Sequence, residues 1–149
     1  MPGIIVGIDG SERSRQALEW AASEAAVRRA PLTVLKVCPA LSGYWGGPGG
    51  YPGDLDRTKQ AQEAAQEETD SVLAKADAES RPASVTVRAV VGVPAEVLLD
   101  AAGDADMIVV GSRGAGGFKR LLMGSVSTHV AHHAHCPVVV IPSDDTELA

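Results

Sequence analysis

A buried strand that runs into a glycine-rich loop is the feature that most constrains the fold of this chain. Residues Met107–Val110 form an unbroken apolar run, which is typical of a strand covered on both faces of a parallel sheet. The loop after this strand contains Gly111, Gly114, Gly116, Gly117 and Gly124. A helical pattern opens at Ser125. Strand, loop and helix in this order predict one unit of an α/β protein, in which helices connect parallel strands.

Four further segments predict the remaining strands of the sheet. They lie at 3–9, 32–37, 84–91 and 135–142, and the helical patterns lie at 11–29, 54–79, 95–102 and 125–135. The alternation of strands and helices predicts an open five-stranded parallel sheet with helices on both faces and right-handed crossovers. Polar and apolar residues alternate in 84–91, which indicates an edge strand. Ser11 is expected to cap the first helix, and its Ala17, Leu18, Ala21, Ala22 and Ala25 are expected to face inward. The second helix is expected to have a solvated face that carries Glu63, Glu67, Glu68 and Asp70.

The loop after Met107–Val110 has the chemistry of an anion site. Glycine exposes backbone amides, and a helix that begins at Ser125 directs its free N–H groups and its positive dipole end toward the loop. The segment 107–135 has no Asp or Glu but contains Arg113, Lys119 and Arg120, in a chain of net charge -6. From these residues alone, a flexible loop with solvated basic side chains explains the pattern as well as an anion site does.

The spacing of the glycines distinguishes between known phosphate loops. No Gly-Lys pair of the P-loop type is present, and Gly114–Lys119 ends in lysine where a dinucleotide fingerprint requires glycine or alanine. The loop resembles the nucleotide-binding signature of the universal stress protein family, in its ATP-binding branch. In both, Gly111-x-x-Gly114 of this numbering is followed by nine residues and then by Gly124-Ser125. The resemblance extends from GIIVGIDGS at 3–11 to HCPVVVIP at 135–142. It implies a Rossmann-like, adenine nucleotide alpha hydrolase-like sheet with the strand order 3-2-1-4-5.

The same resemblance implies a site for ATP with Mg²⁺ at the carboxyl ends of the first and fourth strands. The glycine loop and the start of the last helix would surround the triphosphate, Gly7 and Asp9 would flank the ribose, and the Val37 backbone would meet adenine. The complete set is Gly7, Asp9, Val37, Gly111, Ser112, Arg113, Gly114, Ala115, Gly116, Gly117, Gly124, Ser125, Val126 and Ser127. Without the resemblance, a turn-forming role and a ligand-binding role explain Asp9 equally well.

The expected function is binding rather than turnover. The pattern predicts a phosphate site, but the sequence shows no evident general base or acceptor site, so no catalytic residue is assigned. We therefore expect a nucleotide-dependent stress sensor or regulator. The alternative is a slow ATPase or a self-phosphorylating enzyme, with Ser125, Ser127 or Thr128 as the acceptor hydroxyl.

Length and composition narrow the class of protein further. A chain of 149 residues suits one domain, spanning 1–149, and its longest apolar runs are far shorter than a membrane span. The start of the chain lacks the pattern of a secretory leader, which predicts a cytoplasmic protein. The negative net charge argues against nucleic acid as a partner. Cys38 and Cys136 follow no metal or redox spacing and are expected to be free thiols.

Two segments have no clear role in the predicted site. The loop at 42–53 carries Tyr44, Trp45 and Tyr51 and is expected to be irregular; its aromatic rings fit either a lid over a base or packing on the surface. The last helix is expected to carry all four histidines, His129, His132, His133 and His135. Their spacing suits zinc in principle, but the helix has no cysteine or carboxylate, and a solvent-facing helix end is the simpler explanation. No metal site is assigned.

The last strand predicts an assembly. Val138–Ile141 is continuously apolar, and an exposed apolar edge would pair with other chains without control. We expect two copies to form a homodimer by pairing this strand antiparallel about a two-fold axis.

Overall fold

A computed structural model describes residues 3–38, 52–112 and 125–142 of the chain. The strands and helices alternate as the sequence predicts. They are β1 (Ile4–Ile8), α1 (Glu12–Arg28), β2 (Leu32–Cys38), α2 (Pro52–Lys75), β3 (Val85–Val91), α3 (Pro94–Ala101), β4 (Met107–Gly111), α4 (Ser125–His133) and β5 (Val138–Ile141), with a short 3₁₀ turn at Ala78–Ser80.

The five strands form one parallel sheet in the order β3-β2-β1-β4-β5, which confirms the predicted fold. Val6 of β1 lies at the centre, paired with Val34 on one side and Val109 on the other. After β1, the chain adds β2 and β3 on one side of it and then β4 and β5 on the other side. The order therefore reverses between β1 and β4, and a sheet of this kind binds its ligands outside the carboxyl ends of the strands at this reversal.

Each face of the sheet has its own hydrophobic core. Helices α1 and α2 cover Ile4, Val6 and Ile8, while α3 and α4 cover Ile5 and Ile108. The alternation along β1 arises because successive side chains of a strand point to opposite faces. The five predicted inward residues of α1 are all buried: Ala17, Leu18, Ala21, Ala22 and Ala25.

Helices α2 and α4 differ most from their expected bounds. Helix α2 begins at Pro52 rather than at residue 54 and ends at Lys75 rather than near residue 79. Proline is accepted in the first turn because the N–H groups there have no partner within the helix. Helix α4 ends at His133, so His135 lies outside the helix, two positions before Pro137.

Other predictions are confirmed in the described residues. Strand β3 is an edge strand, and both Cys38 and Cys136 are free thiols. No helix within residues 3–38, 52–112 and 125–142 has the length and apolar character needed to cross a bilayer. Tyr44, Trp45 and Tyr51 lie outside the described residues.

Candidate functional site

The turn between β1 and α1 is closed by its own side chains. Gly10 has a φ of +86°, in the left-handed region that glycine enters without strain. Asp9 Oδ1 accepts a hydrogen bond from the Ser11 amide at 2.9 Å, and the Ser11 hydroxyl accepts one from the Ser14 amide at 3.2 Å. The Ser14 hydroxyl accepts from the Asp9 amide at 3.1 Å and donates to the Ser11 carbonyl at 3.0 Å. This network confirms Ser11 as the cap of α1.

The network also defines the position of Asp9. One carboxylate oxygen holds the turn, and the residue is exposed at the carboxyl end of β1. The turn-forming role considered for Asp9 is therefore present in the structure. The same carboxylate lies at the sheet edge where a ribose hydroxyl or a hydrated Mg²⁺ is expected.

The end of β4 is held on two sides through the backbone of Ser112. The Ser112 amide donates to the Ile141 carbonyl at 2.8 Å, and the Ser112 carbonyl accepts from the Ser127 hydroxyl at 3.1 Å. Ser112 and Ser127 are only 3% and 2% exposed. The first hydrogen bond continues the β4–β5 pairing, so the Ser112 amide is already engaged. The second fixes the first turn of α4 at the end of β4.

The remaining residues of that first turn differ in their environment. Ser125 is exposed. The Val126 side chain is partly buried and packs against the core on the α3 and α4 side of the sheet. The N-terminus of α4 is therefore anchored by Val126 and Ser127. The other predicted phosphate-loop residues, Arg113, Gly114, Ala115, Gly116, Gly117 and Gly124, lie outside the described residues.

Glycine at the ends of β1 and β4 allows helices to approach the sheet. A Cβ atom at Gly7 would lie 3.0 Å and 3.1 Å from the two δ-carbons of Leu98 in α3. A Cβ atom at Gly111 would lie 3.4 Å from the carbonyl oxygen of Arg13 in α1. The contact at Gly7 is tight, so helix packing explains this glycine, whereas the distance at Gly111 is an ordinary van der Waals contact.

Val37 lies at the carboxyl end of β2, beside β1. It is half-buried and pairs in register with Val90 of β3. The next residue, Cys38, accepts a hydrogen bond through its carbonyl from the Gly92 amide at 2.9 Å. This bond fixes the end of β2 to the segment that leads into α3, and the contact of the Val37 backbone with adenine stays a prediction.

Arg13 is a basic residue beside this edge that the sequence interpretation missed. Its backbone packs against Gly111, and its Nε atom is buried with no hydrogen-bond partner within the described residues. A buried N–H group without a partner costs free energy. Arg13 is therefore a basic residue of α1 whose Cβ atom lies next to the end of β4, and arginine forms short, charge-assisted hydrogen bonds with phosphate oxygens. The only signal in the sequence was a basic residue two positions after the helix cap.

Glu68 is a second residue whose position was not predicted. It was expected on the solvated face of α2 with Glu63, Glu67 and Asp70, but its Oε1 atom is buried without a hydrogen-bond partner in the described part of the chain. Burial raises the pKa of the Glu68 carboxyl, and the positive charges of Lys36 and Arg15 partly oppose that rise. Asp9 and Glu12 raise the pKa further. The prediction was wrong for Glu68 because α2 turns this residue toward the β1–α1 turn.

A cavity of about 360 Å³ separates α2 from that turn. It is lined by Gly10, Ser11, Glu12, Arg15, Ala64, Glu67 and Glu68. The cavity lies beside the Asp9 turn and has carboxylates on both walls. The edge of the sheet therefore has an acidic side toward α2 and a side toward β4 with Arg13 and the positive end of α4.

The strand order, the capped turn and the anchored helix N-terminus define the class of protein. They are the features of a Rossmann-like α/β fold with a ligand crevice at the carboxyl edge of its sheet. The model of the universal stress protein family matches residues 2–142. The chain therefore belongs to the universal stress protein family, which confirms the resemblance seen in the sequence.

Individual relatives agree with this assignment. A universal stress protein of Mycobacterium tuberculosis is 40% identical over 148 residues, which are 98% of this chain and 50% of that protein. Universal stress protein UspA from Lactobacillus plantarum superposes with a TM-score of 0.74 at 26% identity, over 94% of this chain and 97% of the other. The universal stress protein from Archaeoglobus fulgidus in complex with dAMP has a TM-score of 0.65 at 25% identity, over 95% and 98%. The chain spans about half the length of the curated relatives it matches.

Proposed function

We propose that this chain binds an adenine nucleotide, ATP with Mg²⁺, at the carboxyl edge between β1 and β4, and that nucleotide occupancy regulates a cytoplasmic stress response. The observation that carries the proposal is the hydrogen bond from Ser127 to Ser112, which holds the positive end of α4 at the end of β4. The relative from Archaeoglobus fulgidus solved with dAMP supports an adenine nucleotide as the ligand.

Each part of the nucleotide has a chemically suitable partner along this edge. The backbone amides at the start of α4 and the guanidinium of Arg13 suit the phosphates. The Asp9 carboxylate suits a ribose hydroxyl or Mg²⁺, and the backbone of Val37 suits the edge of adenine. Glycines 111, 114, 116 and 117 complete the proposed phosphate loop.

Magnesium fits this arrangement when it arrives with the nucleotide. Mg²⁺ retains several waters and is usually held by one or two carboxylates together with substrate phosphates. Asp9 provides one carboxylate at the edge. The described residues contain no group of three or more His, Cys, Asp or Glu suited to hold a metal ion without a nucleotide. When bound, the ion would neutralise phosphate charge.

Calorimetry on protein freed of nucleotide tests the proposal. We expect ATP with Mg²⁺ to bind. Arg13→Gln should lower the affinity for ATP by about tenfold or more, because a hydrogen bond to a charged group contributes about 1.5–3 kcal/mol. The same substitution should lower the affinity for AMP by a smaller factor, since AMP has fewer phosphates. Arg28→Gln is the matched control, because Arg28 lies exposed at the other end of α1 and pairs with Glu24. Absence of ATP binding at millimolar concentration would refute the proposal, and equal losses in both variants would refute the role of Arg13.

Slow phosphoryl transfer is the alternative function, favoured by two exposed hydroxyls at the start of α4. Ser125 and Thr128 are exposed, whereas Ser127 is buried and donates to Ser112. Transfer to protein should therefore label Ser125 or Thr128, and a Ser125→Ala/Thr128→Ala variant should lose the label. If γ-labelled ATP yields neither free phosphate nor labelled protein, the function is binding alone.

We further propose that two copies pair through β5. This strand forms one edge of the sheet, and Val138–Ile141 are all half-buried in the single chain. Antiparallel pairing would cover them. Light scattering at micromolar concentration should give the mass of a dimer, and Val140→Lys should shift it toward monomer. Thr86→Lys, exposed on the opposite edge strand β3, is the control and should leave the mass unchanged. A monomeric wild type would contradict the proposal.

A further inference from the structure

The exposed side of α4 carries a pair of imidazoles that the proposed nucleotide site does not use. His129 and His133 are one helical turn apart, and their ring centroids are separated by 4.5 Å with an angle of 38° between the ring planes. Both residues are exposed. Residues at i and i+4 of a helix point to the same side, so the two rings remain neighbours as long as α4 is folded.

We propose that His129 and His133 together bind one divalent transition-metal ion. Imidazole is a preferred ligand of copper, nickel and zinc, with metal–nitrogen distances of about 2.0–2.1 Å for zinc. Two rings with centroids 4.5 Å apart reach a common ion after small rotations of exposed side chains.

The composition of the site determines its selectivity. The described residues contain no group of three or more His, Cys, Asp or Glu arranged around a metal, so the two imidazoles hold the ion and water fills its other positions. A site with only two imidazoles favours Cu²⁺, followed by Ni²⁺ and Zn²⁺, and excludes Mg²⁺, which prefers oxygen. This site is therefore separate from a nucleotide-borne Mg²⁺.

The position of the pair gives the metal a structural effect. Helix α4 has only nine residues, and a helix of that length has little stability of its own. A metal bridge between His129 and His133 joins its last two turns. Bound metal therefore stabilises the helix whose first turn is tied to β4.

Titration calorimetry with Ni²⁺ on protein without an affinity tag tests the site. We expect one ion per chain and a loss of affinity of about tenfold or more in His129→Gln and in His133→Gln, because each removes the advantage of two linked ligands. The double variant should bind at least as weakly as either single variant, since the one imidazole left in a single variant binds the ion without a chelate. The matched control is His132→Gln, which removes an exposed histidine of the same helix and should change affinity less than about twofold.

Thermal unfolding provides a second measurement, because a ligand that binds the folded chain raises its unfolding midpoint. Ni²⁺ should raise the unfolding midpoint of the wild type and of His132→Gln, but not that of His133→Gln, and Mg²⁺ should raise none of them. The proposal is overturned if the double variant binds Ni²⁺ as tightly as the wild type. It is also overturned if His132→Gln loses as much affinity as His133→Gln, because the histidines would then bind independently.

Discussion

The two connections that meet at the carboxyl edge of the sheet are stabilised in different ways. The β1–α1 turn is closed by hydrogen bonds among Asp9, Ser11 and Ser14, which are at most five positions apart. The end of β4 is joined to α4 by a hydrogen bond between Ser112 and Ser127, which are fifteen positions apart. The first arrangement depends on local sequence, and the second exists only when α4 is packed on the sheet. One half of the site is therefore formed by the turn itself and the other half by the completed fold.

The strongest test of this difference is Ser127→Ala. It leaves the buried Ser112 carbonyl without the hydroxyl that donates to it, and we expect a loss of about 2 kcal/mol in the free energy of unfolding. Urea denaturation followed by circular dichroism measures the loss. Ser125→Ala removes an exposed hydroxyl from the same turn and should cost less than about 0.5 kcal/mol. Equal effects of the two variants would mean that the connection between β4 and α4 does not depend on Ser127.

A smaller effect is expected from Ser11→Ala in the local turn. Removal of a helix N-cap costs about 1 kcal/mol, and urea denaturation again provides the measurement. The control is Ser23→Ala, at an exposed position within α1, where alanine should be neutral or slightly stabilising. The loss from Ser11→Ala should add to that from Ser127→Ala within about 0.5 kcal/mol if the two connections are independent. A larger deviation would show that they are coupled.

The smallest effect concerns Glu68, which faces the local turn across the cavity. Its pKa is raised above the ordinary value of 4.5, mainly by burial, so the folded chain holds this proton more tightly than the unfolded chain does. The resulting stabilisation is complete below pH 4.5 and is lost as the pH rises through the folded-state pKa. Glu68→Gln cannot ionise and should therefore be more stable than the wild type at pH 7, by less than about 1 kcal/mol because the side chain is partly solvated.

The pH dependence of that difference is the measurement. Urea denaturation at pH 7 and at pH 4 should show the advantage of Glu68→Gln shrinking toward acid. Glu63→Gln, at an exposed position of the same helix, is the control. An advantage of Glu68→Gln that grows toward acid would show that the neighbouring Lys36 and Arg15 outweigh burial.

The same division between local and distant contacts explains how much could be predicted. Continuous apolar runs predicted the strands, and the Ser11 cap and the inward residues of α1 followed from the local pattern. The strand order came from the resemblance to a family, because no local pattern specifies which strands are neighbours. The packing of Arg13 against Gly111 and the turning of Glu68 toward Lys36 depend on residues far apart in sequence. For that reason both were missed.

The contact between Gly7 and Leu98 has a consequence for redesign of the proposed nucleotide pocket. The Leu98 side chain of α3 lies against the backbone of β1 at Gly7, so a side chain introduced at position 7 would require the δ-carbons of Leu98 to shift by a few tenths of an ångström. An engineer who wishes to enlarge or reshape the base-binding end should therefore begin by trimming Leu98 and leave residue 7 without a side chain.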